Sequence, residues 1–552
     1  MMRQSRWRTA RLLLALLVLP LLIHHDAGRG FFEDDDFDTL TWARYVPLAS
    51  YIRDIPDIRY SNDHRRPAGY LFYGLLVRAV GLEYASWTLV LQVIGLVNAA
   101  LLWLLLRKIG LNPLPAAAGC LFFIASRTLF DGWWKPMFVF DVLCATFSLA
   151  AILLYAHRRW VLAFFAFWLA VRVKEVAVVL PVVLLLYEFT IGGRKWKRLI
   201  PFFLPALVHG GFGLQASLSL EPGTAYAMSF SPAALWKSIA FYEAKFFWLP
   251  WSGVLLLLPA SLIRDRRVWF GLGAALLQLA AYLFLPERLL EAYMYLAMTG
   301  AAIVVALCAA HYPRIVALLA ILWLPWQIYQ IRLNAASALS QARHRADYFN
   351  ALRRAPDAPV YVYSGAPPSL RIWGVAGALR LLHKDVAEVQ SYEDAAPPPG
   401  KPATLLIWDP AARKLSSRPF DPAELSFHDR GRQPAPGQLL AGAARDERGY
   451  QAIREKGFGR IFRPDGAEAF GIEACGEEGA HLLIFLADEE LPKIEFRTAG
   501  CVTRQYPLPP GPAGTRTLFL LPRPHEKTMR IGNFGFRPRR SRDHAGGGRK
   551  EP

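Results

Sequence analysis

Between residues 12 and 330 the chain is a succession of apolar runs, most of them near the roughly 20 residues that cross a bilayer as a helix, separated by short clusters of Arg and Lys. That pattern leaves few folds open. In hydrocarbon every backbone N–H and C=O must be satisfied inside the protein, which only helices and closed barrels achieve, and runs of this length read as helices. The composition agrees: of 552 residues, 54% are hydrophobic and only 19% charged, with 17 Trp and 34 Phe. A formal net charge of +19 would point to nucleic acid in a soluble protein. Here the basic residues sit between apolar runs, so the charge reads as membrane topology.

Arg3, Arg6, Arg8 and Arg11 precede the first run, residues 12–23, and no small-x-small cleavage pattern follows it. It reads as a retained signal anchor with a cytoplasmic N-terminus. An acidic external loop, residues 24–83, comes next, with a re-entrant or interfacial helix expected at 67–80. Further spans are expected at 84–106, 114–130, 137–156, 160–171, 176–190 and 199–215. Three more end at residues 264–267, 286–291 and 311–314, and the last near Gln330. Basic clusters after even-numbered spans fall on the N-terminal side, as the positive-inside rule requires. About eleven spans, an odd number, place the C-terminal part outside.

The predicted fold is therefore a polytopic α-helical membrane protein, residues 1–331, followed by a soluble region. Residues 332–409 read as a small α/β unit, with strands at 358–363 and 404–408 around a helix at 370–383. Residues 410–464, rich in Pro, Ala and Arg, read as a linker. Residues 465–536 alternate as strands do and suggest a β-sandwich, and the basic tail 537–552 reads as disordered. Of five cysteines, Cys120, Cys144 and Cys308 lie in apolar runs and read as packing residues. Cys475 and Cys501 share the β-rich unit, and an exported domain would let them pair.

The polar interval from Phe31 to Tyr73 concentrates charge. Asp34, Asp35, Asp36 and Asp38 crowd one end, and Asp63, His64, Arg65, Arg66 and Pro67 close the other. Taken alone, four neighbouring aspartates are as well explained by a solvated loop. Their order relative to the spans adds more. An external loop with Asp35, Asp36 and Leu40 spaced as DDxxxL, then Arg66–Pro67 leading into LFYGLLVRAVGL, resembles the GT-C superfamily of membrane glycosyltransferases that use polyprenyl-phosphate sugars. Within it the pattern is most similar to the protein O-mannosyltransferases and their tetratricopeptide-bearing relatives. VKEVAVVLP at 173–181 and PERLLEAYMYLAMTG at 286–300 are similar to two later motifs of the same families. The chain has no tetratricopeptide repeats and reads NDHRRP where the mannosyltransferases have Asp-x-His-Pro-Pro, so the sugar is left open.

The resemblance implies transfer of a sugar, with inversion, from a polyprenyl phosphate to an acceptor hydroxyl on protein, lipid or polysaccharide at the external face. Such a reaction needs a carboxylate to take the acceptor proton. Asp36 is the favoured base, with Asp35 beside it. The leaving phosphate needs cations, for which Arg66, Arg172, Lys174 and Arg288 are placed at the outer ends of spans. Glu175, Asp63 and His64 are supporting candidates. No cofactor is required on this reading, and a divalent metal on the acidic run is left open. A bacterial inner membrane with a periplasmic C-terminal domain is the expected location, since no Asn-x-Ser/Thr sequon or retention signal occurs. Two other readings stand beside it: a non-catalytic flippase or polysaccharide-export protein, and an oligosaccharyltransferase or ligase that moves a preassembled glycan.

Overall fold

The computed structural model describes residues 2–58, 66–220, 224–370, 373–383, 386–391, 402–410, 412–420, 444–445, 451–453, 457–463, 467–487, 489–509, 514–524 and 529–538. The chain divides into two compact units, Met1–Arg345 and Ala346–Pro552. The boundary lies within one long helix rather than near residue 331.

The first unit is helical. After α1 (Met2–Ile23) come the short α2 (Asp34–Tyr45) and α3 (Leu48–Asp54). Helix α4 (Pro67–Val80) matches the expected interfacial helix at both ends. Pro67 starts it at a position whose N–H would be unused in any case, and Gly81 stops it at φ +60°, which glycine adopts without a Cβ clash. Helix α5 (Tyr84–Lys108) ends on Arg107 and Lys108, placed favourably at the negative end of its dipole. Helices α6 (Pro113–Ala125) and α7 (Phe130–Trp134) form a pair bent by 53°. Next are α8 (Val139–Ala156) and α9 (Trp160–Val173), after which the backbone extends at Lys174 (φ −153°, ψ 130°). It re-enters through a 3₁₀ turn, Glu175–Val179, into α10 (Leu180–Thr190). The unit continues with α11 (Ile200–Leu218), α12 (Pro232–Lys245), α13 (Leu258–Leu262), α14 (Arg266–Ala280), α15 (Tyr295–His311) and α16 (Pro313–Leu352).

Among the described residues, seven helical segments are long and apolar enough to cross a membrane, or eight if the bent pair is one span. The other expected spans correspond to shorter apolar pieces. The 14 residues of α9, for example, reach only about 21 Å. On α16, Leu318, Leu319, Ile321 and Leu322 are all exposed, a surface suited to lipid rather than water. Inside the bundle, helices meet at small residues: a Cβ on Gly300 would lie 2.4 Å from the backbone nitrogen of Ala275, so glycine lets α14 and α15 touch.

Among the described residues the second unit holds three sheets. Strands β1 (Val360–Ser364), β2 (Glu388–Ser391), β3 (Thr404–Asp409) and β4 (Lys414–Pro419) form the first, in the order β2-β1-β3-β4, with α17 (Gly374–Leu382) linking β1 to β2. The parallel pairs β1–β2 and β1–β3 fit the expected α/β unit, and β4 adds an antiparallel edge. That edge comes from the stretch read as a linker, as do β5 (Ala444–Arg445), β6 (Gln451–Ile453) and β7 (Gly457–Arg463). Residues 421–443 of that stretch, and the tail from 539, lie outside the described residues.

Strands β8 (Ala467–Gly476), β9 (His481–Leu486), β10 (Glu489–Glu495), β11 (Gly500–Pro507), β12 (Gly514–Arg523) and β13 (Met529–Pro538) complete two further sheets, ordered β10-β9-β12-β7 and β11-β8-β13-β6-β5. Phe470, Ile472, Leu482, Ile484, Leu518 and Phe534, from both sheets, share one buried core, which makes the pair a sandwich.

Cys475 and Cys501 face each other across β8 and β11 with Cα atoms 3.9 Å apart and form a disulfide. The bond closes a separation of 26 residues, for which chain entropy gives about 3.5 kcal/mol. A Cys475→Ser/Cys501→Ser variant is expected to lose most of that stability, seen as earlier proteolysis of the second unit. Equal proteolysis with and without the bond would contradict it.

Candidate functional site

Three aspartates, Asp34, Asp35 and Asp36, fill the first turn of α2, where the helix dipole favours negative charge. Glu33 caps the helix in a reciprocal box: its backbone N–H donates to Asp36 Oδ2 at 2.8 Å, while its own carboxylate accepts from the Asp36 backbone. Tyr73 of α4 donates its hydroxyl to Asp36 Oδ1 at 2.9 Å. Asp36 is fully buried and shares its face of α2 with Phe37, Leu40 and Ala43. Burial pushes its carboxyl up to about 7, against the opposing pull of the Glu33 N–H and the Tyr73 hydroxyl. Asp35 is half-buried, and its charge reaches the Arg288 guanidinium.

The pH dependence follows from the raised value. Folded Asp36 binds its proton more tightly than an unfolded aspartate, so its contribution to stability is present below about 4 and is lost as pH rises through about 7. The full span is on the order of 4 kcal/mol. Asp36→Asn, which imitates the protonated acid, is expected to gain thermal stability relative to wild type as pH rises from 4 to 7. Parallel melting curves across that range would contradict the burial of an ionisable Asp36.

A cavity of about 780 Å³ lies in the same unit. Its walls carry Arg66, Tyr70, Lys174, Glu175, Tyr226 and Tyr293, with an apolar side from α11. Arg66, at the start of α4, donates to both oxygens of Glu175 at 2.8 and 2.6 Å, joining residues far apart in sequence. Partial burial would raise the Glu175 carboxyl, but Arg66 outweighs it and holds it near 2. Lys174 sits in the extended break after α9, where its Nζ bonds Asp141 of α8 at 2.5 Å, with both side chains buried. That ammonium also lies 4.7 Å from the centre of the Tyr293 ring, which stacks on Tyr282 at 4.0 Å. Arg288 donates from Nε to the Tyr293 hydroxyl at 2.8 Å and lies over the Tyr226 ring at 4.2 Å.

Charge is distributed unevenly over these groups. Arg66 and Lys174 each hold a carboxylate of their own. Among the described residues Arg288 forms no carboxylate ion pair: its guanidinium contacts two tyrosines and meets the Asp35 charge only at longer range, which leaves it able to pair with an anion.

The structure thus gathers Arg66, Lys174 and Glu175 on one cavity, with Arg288 bonded to its wall. Arg172 is placed elsewhere. It is buried on α9, donates to the Asp54 carbonyl at 2.9 Å and approaches His209 Nδ1 at 3.4 Å, so it anchors the end of α3 rather than lining the cavity. Asp63 and His64 lie outside the described residues. Among the described residues no group of three or more His, Cys, Asp or Glu is arranged to hold a metal ion. Sequence reasoning missed Asp141 and the tyrosines 70, 226, 282 and 293. Asp141 carried a signal, being a carboxylate set in the apolar run VFDVLC.

No protein-family model matches the chain, and no curated protein does. Solved structures similar to it include ArnT from Cupriavidus metallidurans bound to undecaprenyl phosphate, at 14% identity and a TM-score of 0.44, covering 72% of this chain and 93% of that one. The arabinofuranosyltransferase AftD from Mycobacteria, in an R1389S mutant, is 11% identical with a TM-score of 0.42, covering 95% of this chain and 61% of that one. The arabinosyltransferase EmbB from Mycobacterium smegmatis is 13% identical with a TM-score of 0.35, covering 96% and 65%.

Proposed function

We propose that the protein is a membrane glycosyltransferase that moves a sugar from a polyprenyl-phosphate donor to an acceptor hydroxyl on the external face, with inversion. One observation carries the reading. Arg66, Lys174–Glu175 and Tyr293, from three separate stretches that resemble motifs of such enzymes, line a single cavity; Arg288 bonds the Tyr293 of its wall, and the Asp35 charge acts on Arg288 from outside the lining.

The chemistry divides among these groups. Arg288, with a charge not matched by a carboxylate, binds the donor phosphate, and its planar fork suits two phosphate oxygens. The Arg66–Glu175 and Lys174–Asp141 pairs hold the cavity's shape and supply donors around the head group. The acceptor oxygen bonds to the anomeric carbon as the sugar–phosphate bond breaks, and the electron pair leaves with the phosphate beside Arg288. The acceptor proton goes to a carboxylate. Of the two candidates Asp35 suits that role better, because Asp36 is enclosed with both oxygens engaged. Asp36 then sets the pitch and position of α2.

The disulfide in the second unit supports an oxidising, external location for it. Reporter fusions after Lys108, Arg159, Arg198, Arg267 and Arg314 are expected to be cytoplasmic, and those after Gln330 external. A cytoplasmic second unit would contradict the sidedness. The activity itself is tested by incubating membranes, with and without the protein and with and without chelator, with labelled polyprenyl-phosphate sugars. Protein-dependent transfer of label supports the reading, and labelled lipid that only changes leaflet supports a flippase.

A further inference from the structure

Two turns of the first unit carry positive charge that no carboxylate around them offsets. One, between α8 and α9, holds His157, Arg158 and Arg159; the other, between α10 and α11, holds Arg194, Lys195, Lys197 and Arg198. The Arg198 guanidinium lies over the ring of Trp160, the first residue of α9, at 3.8 Å, and Phe164 of α9 meets Phe202 of α11 edge-on at 5.4 Å, so the two turns sit side by side. Residues 142–174 contain no carboxylate, and residues 176–220 contain only Glu188. Glu188 is buried, and both of its oxygens are taken within the fold: one accepts the Tyr155 hydroxyl at the end of α8 at 2.9 Å, the other the Lys195 backbone N–H at 2.8 Å. It ties the turns together without pairing with their side-chain cations. Helix α14 packs on α10 through Phe270 and Tyr187, and the acid that precedes it, Asp265, is bonded to Arg267 at 2.8 Å. Among the described residues Arg158, Arg159, Arg194, Lys195 and Lys197 are exposed and have no carboxylate partner.

The same two helices continue from the cations as apolar surface. Val161 and Leu162, just after Arg159, and Ile200 and Leu204, just after Arg198, are each half or more exposed, and Trp196 is exposed between Lys195 and Lys197. Trp196–Leu218 is apolar enough to cross a membrane, which puts the cations and Trp196 at the level of the lipid head groups. Sidedness alone requires only that basic residues outnumber others in the loops. It does not require two turns to be joined, nor their one acid to be used up inside the fold. An acidic protein or a nucleic acid would meet the cations and leave the adjoining apolar surface bare. A phospholipid meets both.

We infer that the joined turns 157–160 and 194–198 bind the head group of an anionic phospholipid. The phosphate lies among Arg158, Arg159, Lys195 and Lys197, and the acyl chains run along Val161 and Leu162 of α9 and Ile200 and Leu204 of α11. The inference does not depend on the glycosyltransferase reading.

The test is native mass spectrometry of the purified full-length protein in detergent, with added phosphatidylglycerol or phosphatidylcholine of the same acyl chains. Wild type is expected to bind phosphatidylglycerol at least tenfold more tightly. Each Lys or Arg at an anionic lipid surface is worth about fivefold in affinity, so Lys195→Gln/Lys197→Gln is expected to lose at least tenfold for phosphatidylglycerol with phosphatidylcholine binding unchanged. Arg158→Gln/Arg159→Gln, in the other turn, is expected to do the same and gives a second variant should the first fold poorly. Lys108→Gln/Arg314→Gln, which removes two cations from other basic turns, is expected to bind within threefold of wild type. Glycerol 1-phosphate, the head-group chemistry without acyl chains, is expected not to compete. Equal phosphatidylglycerol binding by wild type and both turn variants, an equal loss in Lys108→Gln/Arg314→Gln, or full competition by glycerol 1-phosphate overturns the lipid site.

Discussion

Asp35→Asn is expected to lower sugar transfer by about 10²- to 10⁴-fold, the usual worth of a positioned general base. The substitution keeps the shape of the side chain and removes its ability to take a proton. Donor affinity should survive within a fewfold, because the proposed phosphate ligand is Arg288 and not this acid. Asp36→Asn, one residue on, should lose less than tenfold. An asparagine there still accepts one hydrogen bond and can donate toward Tyr73, so α2 keeps its cap and its place against α4. The two variants must be measured side by side, since their order is what separates a reacting carboxylate from a positioning one.

The second large effect falls on the donor. Arg288→Ala is expected to weaken polyprenyl-phosphate binding by about ten- to a hundredfold, corresponding to the roughly 1.5–3 kcal/mol of hydrogen bonds to a charged group. Its neighbours should behave differently. Lys174→Ala strands the buried Asp141 without its counter-ion, and breaking such a pair typically costs about 3–5 kcal/mol of stability. Lys174→Ala should therefore appear first as a loss of folded protein, and Arg288→Ala as a loss of affinity in a protein that melts normally. Equal donor affinity in wild type and Arg288→Ala would move the phosphate site elsewhere in the cavity.

How far the sequence can be read depends on whether a feature is local. The bounds of α4 were legible because Pro67 and Gly81 are local start and stop signals. The break between α9 and α10 was legible because Arg172, Lys174 and Glu175 interrupt two apolar runs. The partnerships of the charges were not. Arg66 meets Glu175, and Lys174 meets Asp141, only when four helices assemble, and neither pair has a spacing that announces it.

The choice between Asp35 and Asp36 was half legible. Successive residues of a helix turn by about 100°, so Asp36 lies on the face of Leu40 and Ala43 and beside Phe37, a grouping visible in the sequence once a helix is assumed there. Reading the aspartates as part of a loop hid it. In the second unit, composition misled: the abundance of Pro and Ala at 410–464 concealed β4 and β7, whose pairing is with strands elsewhere in the chain.

The most direct test is the release of polyprenyl phosphate from a labelled polyprenyl-phosphate sugar by purified wild-type, Asp35→Asn and Asp36→Asn protein in nanodiscs, with a bacterial membrane extract as the source of acceptor. The account predicts release by wild type with at least one sugar, release within tenfold by Asp36→Asn, and a loss of at least a hundredfold in Asp35→Asn with donor still bound. Release by Asp35→Asn within a fewfold of wild type would contradict it.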